Sequence, residues 1–321
     1  MKQIYDMFLS QQKSAEGRSL GFSFAMTKFI IGVPPDFSFR STVRGHGWYD
    51  LAPFQLDGEL LSFVAARGGD GRPVPVHVSE HNDGLEIEAP AESDLDGIKA
   101  DVRHILRIDE DLSDFYSRIE QNNEILWAKR HGAGRLLRSA TVWEDLVKTI
   151  CTTNCSWSLT RIMVANLVAK LGDETIDGKR AFPTPAAMAA MPESFYREEV
   201  RAGYRSAYFV ELARSVASGE TDPESWLTSE LPTADLKKEM KKVKGVGDYA
   251  AENLLKLVSR YDGLALDSWL RSQFYAKHNG GKKCSDSKIT RHYQKYGEWR
   301  GLAIWCDMTE AWFDQDQPNP I

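Results

Sequence analysis

Cysteine and long apolar runs are both scarce in this sequence, and each shortage excludes a class of protein. The chain has 321 residues and four cysteines, too few and too scattered for a disulfide-stabilised secreted fold. No stretch approaches the roughly 20 consecutive apolar residues that a membrane-spanning helix needs. Residues 1–6 (MKQIYD) lack a basic segment followed by an apolar one, so we expect no secretion signal. The sequence therefore predicts an intracellular protein that does not enter membranes.

Candidate metal ligands are also poorly clustered. Cys151 and Cys155 are one helical turn apart, but no nearby His or Cys pair completes a zinc site. We therefore expect no metal centre.

Basic charge is low over the whole chain but concentrated in one region. The net charge is −6 at pH 7, yet residues 237–300 contain 15 Lys or Arg and 7 Asp or Glu, which leaves −14 on the remainder. Such a region is typical of a surface that binds phosphates, with the acidic remainder limiting non-specific association. A lysine-rich helix can equally be a solvated face, and charge alone does not separate the two interpretations.

The periodicity changes near residue 110 and predicts two parts of an α+β protein. Residues 1–110 read as a small antiparallel sheet, with alternating apolar residues at 73–78 and 85–89, a turn ending in Asn82-Asp83-Gly84, and a further strand at 60–64. Prolines 73 and 75 predict that the first of these strands lies at a sheet edge. Residues 111–321 read as a mostly helical body. Helices are predicted at 141–150, 159–171, 185–191, 207–217, 236–242, 249–259 and 268–277.

The most informative segment is a helix-turn-helix at about residues 236–259. A lysine-rich helix ends near Lys241, Lys242 and Lys244, a Gly245-Val246-Gly247 turn follows, and a helix restarts at once. Glycine permits positive φ and close backbone approach, and a helix N-terminus presents free N–H groups that suit a phosphate. The lysines add contacts that release counterions from DNA. A tight structural connection between two helices is the alternative, and the motif by itself does not establish an enzyme.

Asp267 follows the apolar run at 263–266 and begins the next helix. An aspartate in this place is most often an N-cap. Beside an extruded nucleotide, the same carboxylate can stabilise an oxocarbenium-like transition state and orient the attacking water. The capping bonds would hold it ionised and fixed, so both roles can coexist.

The hairpin followed by Asp267 resembles the helix-hairpin-helix DNA glycosylase superfamily with its Gly-Pro-Asp loop. This chain has Ala265-Leu266 in place of Gly-Pro, so only the aspartate is carried over. Further landmarks look like the 8-oxoguanine DNA glycosylase branch, and the similarity covers about residues 110–313. They are residues 134–138 (GRLLR), 150–154 (ICTTN), 182–185 (FPTP) and 203–208 (GYRSAY). The resemblance implies that the N-terminal sheet is an accessory domain and that DNA containing a damaged base is the partner.

The resemblance also implies roles for individual residues. Asn154 would line the gap left by the extruded base and probe the opposite base. Tyr204 would insert beside the orphaned partner base, and Arg205 would contact it; a core tyrosine with its hydroxyl at the surface is the alternative for Tyr204. An aromatic ring and an amide can replace lost stacking and pairing. Met308 and Trp48 are candidates for the base pocket, Met308 from the last helix and Trp48 from an N-terminal loop; a structural turn is the alternative for the latter.

Tyr249 is the main departure from the resembled branch. The bifunctional members carry a nucleophilic lysine at this position, and a tyrosine cannot form a Schiff base. The expected reaction is therefore hydrolysis that leaves an abasic site. An aromatic residue here resembles the 3-methyladenine DNA glycosylase II branch, where it stacks on an electron-poor alkylated base.

The expected protein is a monofunctional glycosylase of base-excision repair directed at alkylated purines. An 8-oxoguanine glycosylase and a non-catalytic DNA-damage-binding protein are the alternatives. We expect a monomer, associated with the cytoplasmic nucleoid if the source is bacterial. No cofactor is expected, and no iron-sulfur cluster, because only Cys284 and Cys306 lie near the C-terminal end of the sequence. The resemblance allows a monovalent cation on the hairpin carbonyls.

Overall fold

The computed structural model describes residues 25–313, and residues 1–6, on which the expectation about secretion depends, lie outside that range. A five-stranded antiparallel sheet comes first, in the order β1-β5-β4-β3-β2. Its strands are β1 (Met26–Ile31), β2 (Gln55–Asp57), β3 (Leu60–Ala65), β4 (Val74–His81) and β5 (Gly84–Pro90). The remainder is mostly helical, which confirms the α+β class.

The predicted hairpin between β4 and β5 is present, but the predicted position of β4 in the sheet was wrong. The strand lies between β3 and β5, not at an edge. Pro75 pairs with Val64 of β3, whereas pairing with β5 begins only at His77. Pro75 therefore occupies a part of the strand that is paired on one side, where a residue without an N–H is tolerated.

The described residues form 14 α-helices. The first two lie in the part that the sequence predicted as β-rich, so helical structure begins before residue 110. The helices are α1 (Phe39–Arg44), α2 (Leu95–Ile105), α3 (Ser113–Asn122), α4 (Leu126–Arg130), α5 (Val142–Thr152), α6 (Trp157–Leu171), α7 (Pro185–Ala189), α8 (Glu193–Glu198), α9 (Ser206–Ala217), α10 (Thr233–Met240), α11 (Asp248–Leu257), α12 (Ser268–His278), α13 (Asp286–Tyr293) and α14 (Arg300–Thr309).

Side-chain caps set several helix starts. Thr141 accepts the Glu144 N–H at 3.2 Å before α5. Thr184 caps α7, whose first residue is Pro185, a position where the missing N–H costs nothing. Such local signals explain why helices predicted from the sequence begin within a few residues of the observed ones.

Two apolar cores divide the described molecule. The first joins the sheet to α2, α5, α6 and α9–α11, and the second joins α3 and α4 to α12–α14. The chain crosses between the cores at three places, near residues 108–112, at residues 136–137 and in the loop between α11 and α12, which ends at Asp267. The proposed domain boundary at residue 110 stays a prediction. Among the described helices, none is long and apolar enough to cross a bilayer.

Candidate active site at the helical hairpin

The turn between α10 and α11 depends on two glycines that differ in their surroundings. Gly245 has φ +93, and a Cβ there would lie 2.8 Å from Cδ2 of Tyr208. Gly247 has φ −87 and an added Cβ would meet no atom within 4 Å. Gly245 is thus required by the fold, whereas Gly247 leaves open space in front of the α11 N-terminus. That open space, together with the free N–H groups, can receive an anion.

The lysines of the hairpin are paired with carboxylates. The distance from the lysine Nζ to a carboxylate oxygen is 3.0 Å for Lys241 and Asp248. It is 2.6 Å for Lys242 and Glu239, and 2.9 Å for Lys244 and Glu211. The three lysine side chains are 40% to 71% exposed, and such surface pairs are weak. A phosphate can therefore replace the carboxylates, although the local excess of positive charge is smaller than the residue count indicates.

Asp267 is the N-cap of α12. Its Oδ1 accepts the Leu270 N–H at 2.7 Å, which fixes the carboxylate at the start of the helix. The side chain is half-buried and lines a cleft of about 890 Å³. The capping interpretation of the sequence is confirmed, and it leaves the carboxylate accessible from the cleft.

This cleft collects most of the residues singled out in the sequence. The hairpin turn, Tyr249 and Asp267 form one wall, and the other wall contains Asn154, which follows α5, and Tyr204, which precedes α9. Its lining residues are Thr152, Thr153, Asn154, Cys155, Tyr204, Tyr208, Lys241, Val243, Lys244, Gly245, Val246, Gly247, Asp248, Tyr249, Ala250, Leu266, Asp267 and Ser268.

Tyr249 is half-buried between the hairpin and Asp267. Burial, with a further contribution from the Asp267 carboxylate, raises the pKa of Tyr249 to about 12. The phenol therefore stays neutral across the physiological range and presents a ring and a hydroxyl to the cleft. A neutral ring can stack on a base without adding charge.

Tyr204 projects from the opposite wall with 49% of its surface exposed. Its hydroxyl lies 3.4 Å from Nδ2 of Asn154, which adopts φ +48, and 3.3 Å from Oγ1 of Thr153. Its ring lies 5.8 Å from that of Tyr208, which packs against Gly245. The exposed ring is therefore tied to the hairpin through Tyr208.

Arg205 does not present its guanidinium to the cleft. The residue is 3% exposed, its Nε lies 3.1 Å from the Ile150 carbonyl oxygen, and its guanidinium stacks 4.6 Å from the Tyr204 ring. The described conformation thus places Arg205 behind Tyr204 as a support, and it does not match the expected direct contact with the orphaned base.

Trp48 and Met308, expected in the base pocket, do not line the cleft. Trp48 is 4% exposed and donates its indole N–H to Oδ1 of Asp145 at 2.6 Å. Met308 is 6% exposed and packs in the second core. Packing rather than base contact accounts for both residues in this conformation, because each is enclosed by its neighbours.

The sequence did not identify Glu252 and Lys256 of α11 as site residues. Lys256 is 2% exposed, with Nζ 3.3 Å from the Leu264 carbonyl oxygen. Burial lowers the pKa of Lys256 to about 8, against the opposing influence of Glu252 and Asp267. Glu252 accepts the Ala265 N–H. Their i, i+4 spacing is that of an ordinary surface ion pair, so only the fold identifies them as contacts of the Asp267 loop.

Trp269, Trp305 and Trp312 form an aromatic cluster beside the same loop. Their ring centroids lie 5.5 to 6.3 Å apart. Trp269 follows Asp267 by two residues, and Trp305 donates its indole N–H to the Gly45 carbonyl at 2.7 Å. The cluster joins α12 and α14 to the N-terminal part of the chain.

Within the described residues, one group has the composition of a metal site: His278, His292 and Asp307. The oxygens of Asp307 already accept bonds from His278 at 2.6 Å, Tyr293 at 2.5 Å and Lys277 at 2.8 Å. Burial acts to raise the pKa of Asp307, but these donors lower it to about 2. Since the carboxylate is fully occupied, the geometry favours an ion-pair network that ties α12 to α13 and α14.

One curated relative has a similar sequence over part of its length. The N-glycosylase/DNA lyase of Saccharomyces cerevisiae is 25% identical over 198 residues, which cover 58% of this chain and 53% of the yeast protein. The chain thus spans about half the length of that relative. No family model matches the chain.

Solved structures match over most of the chain. The 3-methyladenine DNA glycosylase of Archaeoglobus fulgidus superposes with a TM-score of 0.70 at 17% identity, covering 89% of this chain and 99% of that one. The 8-oxoguanine glycosylase/lyase of Clostridium acetobutylicum, in complex with DNA containing cytosine opposite 8-oxoguanine, gives 0.61 at 17% identity, covering 83% and 99%. At the level of fold, the resemblance to the helix-hairpin-helix glycosylases is confirmed.

Proposed function

We propose that this chain, which has the fold of helix-hairpin-helix DNA glycosylases, is a DNA glycosylase of base-excision repair. The observation that carries the proposal is the single cleft that brings together the Asp267 carboxylate, the open turn at Gly247 and the exposed ring of Tyr204. An enzyme that removes a base from a duplex needs a phosphate anchor, a wedge and a fixed carboxylate. One concave surface supplies all three.

The hairpin and the wedge act on the DNA before the bond breaks. The N–H groups at the α11 N-terminus and the ammonium groups of Lys241, Lys242 and Lys244 hold backbone phosphates, and Gly247 permits close approach. Tyr204, backed by Arg205, fills the gap left by the extruded nucleotide, and Asn154 lies beside it to meet the opposite base.

Asp267 then assists hydrolysis. The bond between C1′ and the base nitrogen breaks, the electron pair leaves with the base, and positive charge develops on the sugar. The carboxylate stabilises that charge and accepts a proton from the water whose oxygen bonds to C1′. The products are the free base and an abasic site.

The proposed specificity is for alkylated purines, processed without lyase activity. Tyr249 offers a neutral aromatic face next to the carboxylate, and an electron-poor alkylated base gains most from such stacking. A cationic alkylated base leaves as a neutral molecule, so it needs no proton from a general acid. A tyrosine at this position also removes the amine that a Schiff base would require.

Incubation of the protein with oligonucleotides bearing defined lesions, followed by alkali cleavage, tests the proposal. We expect strand breaks only after alkali and only with a damaged purine. Asp267→Asn retains an N-cap side chain, so its fold should be as stable as the wild type while the rate falls by about 10²–10⁴-fold. Asp267→Ala loses the cap as well and should lose about 1 kcal/mol of stability. Unchanged base release by Asp267→Asn would contradict the role given to the carboxylate.

The alternative enzyme is an 8-oxoguanine glycosylase/lyase, which the names of the yeast and Clostridium proteins favour. Borohydride trapping separates the two, because a covalent protein–DNA adduct requires an amine nucleophile. A non-catalytic damage-binding protein would bind lesions and release no base, with wild type and Asp267→Asn behaving alike.

We propose that the enzyme works as a monomer on double-stranded DNA, requires no cofactor, and is nucleoid-associated if the source is bacterial. Hairpin carbonyls are the proposed site for a monovalent cation. Its presence would make DNA affinity differ between potassium and lithium chloride at equal ionic strength.

A further inference from the structure

The loop that delivers Asp267 contains one residue in an unfavourable backbone conformation. Ala265 has φ +52 and is fully buried. This left-handed region costs free energy for residues with a Cβ, and alanine has no polar side chain to offset it locally. Surrounding contacts must therefore hold the conformation.

Two side chains of α11 grip the same peptide unit of this loop. Glu252 accepts the N–H of Ala265, and the ammonium of Lys256 lies 3.3 Å from the carbonyl oxygen of Leu264. The N–H and the C=O belong to the single peptide bond between residues 264 and 265. Glu252 and Lys256 are four residues apart, so successive turns of α11 hold the two ends of that peptide unit.

Neighbouring residues fix the positions of both Glu252 and Lys256. Oε1 of Glu252 lies 2.6 Å from Nζ of Lys237, and this ion pair connects Glu252 to α10. Lys256 is buried with Nζ 5.5 Å from the ring of Trp305. Gly263 lets Glu252 approach, because a Cβ there would lie 2.9 Å from Cγ of Glu252.

Rotation of this peptide unit would relieve the strain at Ala265 and would also move Asp267. A flip exchanges the directions of the N–H and the C=O and lets Ala265 return to negative φ. In the flipped state the N–H would face Lys256 and the C=O would face Glu252, so both contacts would become repulsive. Glu252 and Lys256 therefore oppose the flip of this peptide unit. The unit lies in the loop between α11 and α12, which leads from the hairpin to Asp267.

We propose that Glu252 and Lys256 are positioning residues that lock the peptide unit at 264–265 and thereby set the place of the Asp267 carboxylate relative to the DNA held by the hairpin. This inference rests on the proposed glycosylase function, since it gives the pair a part in that reaction. Lys256 is fully buried, and burying a charged side chain is costly, so packing alone would be served there by an apolar residue. The Lys256 ammonium is directed at the loop backbone, and Glu252 divides its two oxygens between Lys237 and the Ala265 N–H.

The test compares base excision with DNA binding. Glu252→Leu and Lys256→Met remove the acceptor and the donor with little change in volume. We expect the single-turnover excision rate to fall by about 10–100-fold, as for a misplaced catalytic group, while the Kd for a duplex with a stable abasic analogue changes less than about twofold. Glu252→Gln keeps an amide oxygen for the Ala265 N–H and should retain most of the rate.

Lys148→Met is the matched control, because Lys148 is also a fully buried lysine, but its ammonium contacts Glu144 and the rings of Phe54 and Phe182 instead of the loop. It should leave the rate of its folded fraction unchanged. A second control removes the backbone strain. Glycine adopts positive φ without strain, so in an Ala265→Gly background the flip of the peptide unit relieves no strain. Glu252→Leu should therefore reduce the excision rate less in that background than in the wild type.

Failure of this inference differs from failure of the proposed function. If the wild type releases no base from any lesion, the proposed glycosylase function is refuted. If Lys256→Met and Glu252→Leu keep full excision activity, the positioning role of Glu252 and Lys256 is refuted. Parallel losses of rate and abasic-site affinity, or an equal loss in Lys148→Met, also refute it. Hydrogen exchange needs no activity: the Ala265 amide should exchange faster in Glu252→Leu and Lys256→Met than in Lys148→Met, and equal exchange overturns the inference.

Discussion

At the scale of single residues, the wedge role proposed for the exposed ring of Tyr204 can be tested separately from the chemistry at Asp267. It lies across the cleft from Asp267, supported by the buried Arg205 and the ring of Tyr208. In the proposed reaction, a side chain in this position acts on the stacked duplex before any bond is broken.

Tyr204→Ala should therefore slow excision from a duplex more than from a single strand. Loss of a stacking partner costs about 1–3 kcal/mol, a factor of roughly 5–150 in the duplex rate. The ring is half exposed, so the unfolding free energy should change little. Single-turnover rates on the same lesion in duplex and single-stranded oligonucleotides provide the measurement. Equal slowing on both substrates would argue against the wedge.

At the scale of elements, the hairpin combines a structural glycine with one that the fold does not require. Gly245→Ala introduces a Cβ at positive φ and 2.8 Å from Tyr208, so stability should fall by at least about 1 kcal/mol. Gly247→Ala meets open space and should leave stability nearly unchanged, yet weaken DNA binding by blocking a phosphate. Urea unfolding and fluorescence anisotropy with a labelled duplex measure the two effects. If both variants bind DNA as the wild type does, the turn is only a connection between helices.

The ion pairs of the hairpin predict tighter binding when a carboxylate is removed. Glu211→Gln frees Lys244, which lines the cleft, and should raise DNA affinity by a few-fold with a steeper dependence on salt. Asp235→Asn frees Lys238, which pairs on the same hairpin but does not line the cleft, and serves as the control. Equal gains from the two variants would indicate general electrostatics in place of a defined phosphate contact.

Local patterns and long-range contacts explain what the sequence could and could not predict at this scale. The helix start near residue 141, the turn at Gly245 and the N-cap role of Asp267 depend on residues within a few positions of each other, and all three are observed. The central position of β4 depends on pairing with two distant strands. The contact of Lys256 with the Asp267 loop depends on how α11 packs, which spacing alone does not reveal.

At the scale of the whole molecule, two separate cores meet at the loop that carries Asp267. The hairpin belongs to the first core, and α12, which Asp267 caps, belongs to the second. His46 lies near this junction, 8% exposed, with its ring centroid 5.7 Å from that of Trp305. Acid that charges a buried histidine therefore acts where the two parts of the protein meet.

Stability should consequently decline in acid below about pH 6.5. Burial, reinforced by Lys256 and other cations, lowers the pKa of His46 from 6.5 to about 3. The unfolded chain binds a proton in this window and the folded chain does not, so unfolding becomes easier as the pH falls from 6.5 towards 3, by up to about 1.4 kcal/mol per pH unit. His46→Gln should show a smaller loss of unfolding free energy between pH 7 and 5, whereas His131→Gln, at an exposed position, should follow the wild type. Identical slopes for all three proteins would show that His46 does not contribute.

The cluster of Trp269, Trp305 and Trp312 also gives the protein an optical signal of its own. Three indoles whose centroids lie 5.5 to 6.3 Å apart at fixed angles couple their electronic transitions and produce a characteristic near-ultraviolet circular dichroism spectrum. Because Trp269 belongs to α12 and Trp305 to α14, any shift of the helix capped by Asp267 changes the angles between their rings. Movement of the carboxylate-bearing helix on DNA binding can therefore be followed in the unlabelled protein, once the spectrum of the DNA is subtracted.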